Sequence, residues 1–167
     1  MKAKISVAVL LLFSFGCTSQ QTEPLTQQQK DQIKHEVKTI CDSIWAKWDR
    51  MDGNGVLQYL WDTPEFVAFN LDGSRSDIEA IKKGIVDLAS SATAIKLLPS
   101  REDFYVLSKD AVVYAWFGKT EISMKSGDKI TYDPEAETYV FNKVAGQWQI
   151  VYIQQSATVV TQKAGKK

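Results

Sequence analysis

The one histidine of this chain, His35, sets an early limit on its chemistry. It stands between Lys34 and Glu36, off the apolar positions of its segment, and so reads as a solvent-facing residue. Without a second histidine, a serine–histidine–aspartate triad is excluded unless His35 is itself the base. A histidine-rich metal site is excluded by count. Asp49, Asp52 and Asn54 bring oxygen donors close together. A calcium loop, however, needs the order D-x-[DN]-x-[DN]-G, and counted from Asp52 the fifth and sixth places hold Val56 and Leu57. This polar run therefore reads as a helix end and a turn, and neither a metal nor a cofactor is expected. Cys41 has no histidine or second cysteine near it in sequence and lies beside an apolar stripe, which reads as a buried, inert thiol. What remains is aromatic mass: 5 Trp, 6 Tyr and 7 Phe. Ligand cavities are mainly apolar with a few placed polar groups, and buried Trp and Tyr need partners for their N–H and O–H.

The elements that would position these side chains are legible from periodicity and turn chemistry. Thr26-x-x-Gln29 matches a capping box after Pro24, and a long helix follows. Its stripe is Ile33, Val37, Ile40, Ile44, Trp48 and Met51, and it stops near Gly53-Asn54-Gly55. A short helical piece over 56–60 comes next, then a strand over 65–71 and a turn at Asp72-Gly73. Ser76-x-x-Glu79 reads as a second capping box, opening a helix with the stripe Ile78, Ile81, Ile85 and Leu88. Gly84 weakens that helix by about 1 kcal/mol relative to Ala, which a close packing contact would explain. From Thr93 the period changes to that of strands, over 95–107, 111–124, 129–143 and 147–157. Pro99 marks the first of these as bent, bulged or at an edge. The last two form a hairpin, Glu137 to Ser156, whose turn is Ala145-Gly146. The order is helix, helix, strand, helix, then long antiparallel strands, which is an α+β fold with helices covering one face of a curved sheet.

Charge is balanced at 20 basic and 20 acidic residues, so no basic face for nucleic acid is implied. The start of the chain has its own pattern. Lys2 and Lys4 precede an apolar run from Ile5 to Phe15 that is too short for a permanent membrane span, and Gly16 then precedes Cys17. A small residue followed by Cys at the end of such a run resembles a bacterial lipoprotein signal. That resemblance implies cleavage before Cys17 and its lipidation, with acyl chains anchoring the protein at about 0.8 kcal/mol per buried methylene. The usual pattern carries Leu or Val more often where this chain has Ser14. Removing residues 1–16 takes Lys2 and Lys4 from the 20 basic residues and leaves the 20 acidic ones, a net charge of −2. It also leaves Cys41 as the one free thiol, which excludes a disulfide framework. The expected organisation is a signal peptide at 1–16, a lipidated cysteine and Gln-rich polar tether at 17–29, one domain at 30–160 and a frayed polar tail at 161–167. The expected place is the cell envelope, at the outer membrane or on the periplasmic side.

From about residue 30 to residue 160 the chain resembles the nuclear transport factor 2-like superfamily in its SnoaL-like branch. The residues that carry the likeness are Trp48-Asp49 and Met51-Asp52 at the first helix end, Phe66-Val67, Asp72-Gly73 and Ser76 to Ile81. Tyr139-Val-Phe-Asn-Lys, Gly146-Gln-Trp-Gln-Ile-Val and Ser156 complete it. The resemblance implies a cone, in which a strongly bent antiparallel sheet wraps around N-terminal helices and leaves a cavity at its wide end. The hairpin is also similar to that of the association domain of calcium/calmodulin-dependent kinases, which places cavity arginines where this chain has Tyr139 and Gln155. Neither offers a guanidinium fork, so an anionic ligand is not expected. The pocket residues expected on this basis are Trp61, Trp116, Tyr139 and Gln155. With aromatic pocket candidates and no recognisable catalytic set, the expected role is to bind a small apolar or neutral ligand or to act as an accessory module, and the resemblance implies a homodimer through the outer sheet face. The alternative role is that of an isomerase or dehydratase acting on a hydrophobic carbonyl compound. Such an enzyme needs a carboxylate in a dry pocket, from Asp103, Glu121 or Glu137, with Tyr59, Tyr105, Tyr114 or Tyr139 as donor. Spacing alone selects none of these.

Overall fold

The computed structural model describes residues 24–164. The expected lipidation site Cys17 and the signal lie outside them. Thr26 caps helix α1 (Gln27–Asp49) with both arms of the capping box, its side chain accepting from Gln29 N–H while the Gln29 side chain accepts from Thr26 N–H. The helix thus begins inside the stretch expected as tether. Ile33, Val37, Cys41 and Ile44 are its buried residues, so Cys41 sits on the stripe itself, one turn after Val37. Helix α1 ends at Asp49, before the glycines, where Met51 adopts a left-handed φ of 55°. Gly53 instead opens helix α2 (Gly53–Leu57), where a Cβ would lie 2.8 Å from the Cβ of Ala89. Asp52 caps α2 by accepting from Gly55 N–H at 2.8 Å.

Strand β1 (Val67–Phe69) and strand β2 (Arg75–Ser76) form a small hairpin around Gly73, whose φ is 79°. Asp77, and not Ser76, caps helix α3 (Ile78–Ser91), accepting from Ala80 N–H. Four strands follow: β3 (Ala92–Ser108), β4 (Ala111–Met124), β5 (Lys129–Val144) and β6 (Gln147–Gln162). They form a six-stranded sheet in the order β2-β1-β6-β5-β4-β3. All its pairs are antiparallel except β1 with β6. The sheet is therefore mixed, where antiparallel pairing alone was expected. Strand β6 continues to Gln162, which pairs with Lys129, beyond the expected strand end at residue 157.

Strands of 14–17 residues are far longer than the usual five or six or so, and they must curl to enclose a core. Register shifts supply the curl. In β3 one falls between Pro99 and Arg101, as Pro99 foretold on this edge strand. In β5 two residues, Asp133 and Pro134, oppose one on each neighbour, Lys119 between Gly118 and Thr120 on one side and Thr158 between Ala157 and Val159 on the other. In β6 an extra residue lies opposite the step from Val140 to Phe141. The core between sheet and helices centres on the fully buried Val37, Phe66, Val112, Tyr114 and Phe141. The final hairpin is pinned to α1 by Glu36. It accepts from Trp148 Nε1 at 2.9 Å and Lys143 Nζ at 3.2 Å, and these two donors lower its carboxyl pKa. This is the α+β cone: helices packed in the concave face of a bent sheet.

Candidate functional site

The concave face leaves a cavity of about 330 Å³, within the range of about 300–1,000 Å³ typical of small-molecule sites. Its walls are assembled from every layer. Helix α1 presents Ile44, Trp45 and Trp48, and α3 presents Ile81, Ile85 and Leu88, its predicted stripe. The sheet presents Trp116, Tyr132, Tyr139, Ile150 and Ile153. Gly84 also lines the cavity, and a Cβ there would meet nothing within 4 Å. No close contact accounts for it; it leaves the wall of α3 low.

Two carboxylates face into this largely apolar space: Glu135, 4% exposed, and Glu137, 7% exposed. The bulge in β5 explains why. Ile130 and Tyr132 are even-numbered and face the same side as Ile122; after the extra residue the odd-numbered Glu135, Glu137, Tyr139 and Phe141 face inward. The bulge in β6 does the same for Ile153 and Gln155 after Trp148 and Ile150.

Glu137 is held by three neutral donors. Trp116 Nε1 donates to its Oε2 at 3.0 Å, Gln155 Nε2 donates to its Oε1 at 2.6 Å, and the Tyr139 hydroxyl also donates to Oε2. Glu135 has one such bond among the described residues, from the Thr120 hydroxyl to Oε2. Burial, reinforced by the neighbouring Glu137, pushes its carboxyl up to about 7, against the Thr120 hydrogen bond. Burial likewise pushes the Tyr139 phenol well above its ordinary value, with Glu137 adding to the effect, and raises Tyr132. Every titratable group that lines the cavity stands on β5, and no lysine, arginine or histidine lines it among the described residues.

Trp116, Tyr139 and Gln155 are thus brought together around one carboxylate. Trp61 is not with them. Leu60 makes a parallel bridge to Ile150, and Trp61 N–H donates to Ile150 C=O at 2.9 Å. That pairing turns Leu60 into the cavity and directs the next side chain away from it. Of the three candidate bases Glu137 alone faces the cavity. Asp103 pairs with Arg101 at 2.7 Å and Glu121 with Lys119 at 2.8 Å, both on the outer side of the sheet. Among the candidate phenols, Tyr114 donates to Glu102 at 2.8 Å away from the cavity, Tyr105 is exposed, and Tyr59 packs against the core. His35 is exposed. Glu135 was not foreseen from sequence. The available signal was Pro134, since proline inside a strand marks a bulge, and a bulge reverses which residues face inward.

No family model matches the sequence, and no curated protein matches it. Solved structures match its fold. A Novosphingobium aromaticivorans protein provisionally named a scytalone dehydratase superposes with a TM-score of 0.70 at 9% identity, covering 85% of this chain and 94% of that one. A nuclear transport factor 2-like superfamily protein from Salmonella enterica gives 0.67 at 16% identity, over 81% and 96%. The association domain of C. elegans CaMKII gives 0.59 at 14%, over 78% and 99%. The chain has the nuclear transport factor 2-like fold.

Proposed function

We propose that this protein is a lipid-anchored envelope module of SnoaL-like type that takes a small, mainly apolar ligand with one polar end into its concave cavity. The observation that carries this is the ligand-sized, aromatic-walled space ending in Glu135 and Glu137. A filled cone would have signalled a purely structural part. The anchor rests on the run from Lys2 to Cys17. Two copies pair through the outer sheet face, where Tyr105, Leu107 and Phe117 are exposed. Native mass spectrometry of the protein purified from its own envelope tests the ligand reading. A retained small molecule that is lost in the Ile85→Trp variant, which fills the cavity, supports it. An empty wild-type protein that also binds no member of a hydrophobic fragment panel by NMR refutes it.

Glu135 favours a second reading: an isomerase or dehydratase on a hydrophobic carbonyl compound. A buried carboxyl near neutrality can exchange protons at working pH. Glu137, with both oxygens occupied by donors, is the less available base. Deuterium exchange at the α-carbon of a hydrophobic ketone, absent in Glu135→Gln, supports this reading; equal exchange in both proteins removes Glu135 as the base.

A further inference from the structure

We infer that the polar end of the ligand is a cation, an organic ammonium group seated between the Glu135 carboxylate and the aromatic walls. This rests on the reading of the cavity as a ligand site and specifies its chemistry. The first ground is the sign of the lining. Two inward carboxylates share the cavity with no cationic side chain among the described lining residues, and all of the titratable lining groups, Tyr132, Glu135, Glu137 and Tyr139, become neutral or negative. Helices α1, α2 and α3 and strands β3, β4 and β6 contribute no charged or titratable group to that wall.

The second ground is independent of charge counting. Glu135 is 96% buried, its relative exposure being 4%, and it spends Oε2 on Thr120 while Oε1 has no hydrogen-bond partner among the described residues. That oxygen belongs to a side chain aimed into a ligand-sized space. No buried polar side-chain atom among the described residues lacks a partner, so Oε1 is not sealed in; it opens onto the cavity, where the donor of a ligand can reach it. Glu137 differs, because its three donors satisfy it without a ligand. The third ground is the wall. Trp45, Trp48, Trp116, Tyr132 and Tyr139 all border the cavity, and aromatic faces attract cations. Trp45 and Trp116 meet edge to face, with centroids 6.3 Å apart, so the two indoles do not close on each other as a stack. A neutral donor would satisfy Oε1 and leave the Glu135 charge uncompensated beside Glu137. An anion would meet two carboxylates. An ammonium on an apolar body satisfies the oxygen, the charge and the aromatic faces together.

The test uses the full chain in detergent and isosteric pairs: phenethylamine with 2-phenylethanol, and cyclohexylmethylamine with cyclohexylmethanol. Calorimetry at pH 8 is expected to give about tenfold to a hundredfold tighter binding of each amine than of its alcohol. Glu135→Gln should abolish that preference, and its cooperative thermal unfolding shows that the variant is folded. In the wild type, amine affinity should fall as pH drops below about 7, approaching tenfold per pH unit as Glu135 takes up its proton, with alcohol affinity flat. Equal affinity for amine and alcohol, or a preference for amine that survives Glu135→Gln, overturns the cation inference and leaves the ligand cavity standing. Failure of all four compounds and of the wider hydrophobic panel overturns the cavity reading itself.

Discussion

Glu135→Gln should make this protein more stable at alkaline pH, although it removes a buried carboxylate that lies in the candidate site. The carboxyl rises from an ordinary 4.5 to about 7 in the fold. At about 1.4 kcal/mol per pH unit, the ionised form is disfavoured by up to about 3 kcal/mol. A cavity of about 330 Å³ has room for several waters, whose screening would remove part of that cost and leave about 2 kcal/mol. The direction follows from proton linkage. The folded state keeps the Glu135 proton where the unfolded chain has already lost it. The associated stability is therefore full below pH 4.5, falls as pH rises and is gone above about pH 7. Gln carries no such dependence, and its amide oxygen can accept the Thr120 hydrogen bond. Thermal unfolding of ligand-free wild type and variant should agree near pH 4.5. At pH 8 the variant should melt about 4–8 °C higher. Carboxylates remote from the cavity respond alike in both proteins and cancel in the comparison. A difference that stays constant from pH 4.5 to pH 8 refutes the reasoning, because it would mean that Glu135 ionises in the fold as it does in the open chain.

Gly118→Ala should cost about 1–3 kcal/mol in thermal or urea unfolding, because its Cβ would lie 2.4 Å from Leu98 O and 2.9 Å from Trp116 Cζ3; an unchanged midpoint would show that β3 yields at Pro99. Trp116→Phe keeps the ring but removes a donor to Glu137, and a loss of about 1–2 kcal/mol is expected by the same assay; a neutral result would mean that Tyr139 and Gln155 suffice. Cys17→Ser should move the protein from the membrane to the soluble fraction, and unchanged fractionation defeats the anchor. Phe117→Asp places a charge on the exposed sheet face and should halve the mass measured by light scattering; a wild type that is monomeric at high concentration removes the dimer.

Local physics was legible in the sequence. The Thr26–Gln29 box, the α1 and α3 stripes and the Ala145-Gly146 turn, with φ of 49° and 83°, depend on residues a few positions apart. The α+β order followed from these, whereas the cone and the cavity positions Tyr139 and Gln155 came from the resemblance of the final hairpin to a known family.

The composition of the site was settled at longer range. Trp61 leaves the cavity because Leu60 bridges Ile150, a partner 90 positions away in the chain. Glu135 enters it because one extra residue in β5, opposite two different strands, reverses the inward parity before Glu137 is reached. Residue types along the chain determined that helices and long strands would bury an aromatic core. Pairing register, which no residue specifies alone, decided that the core would close around two carboxylates and leave one oxygen facing open space.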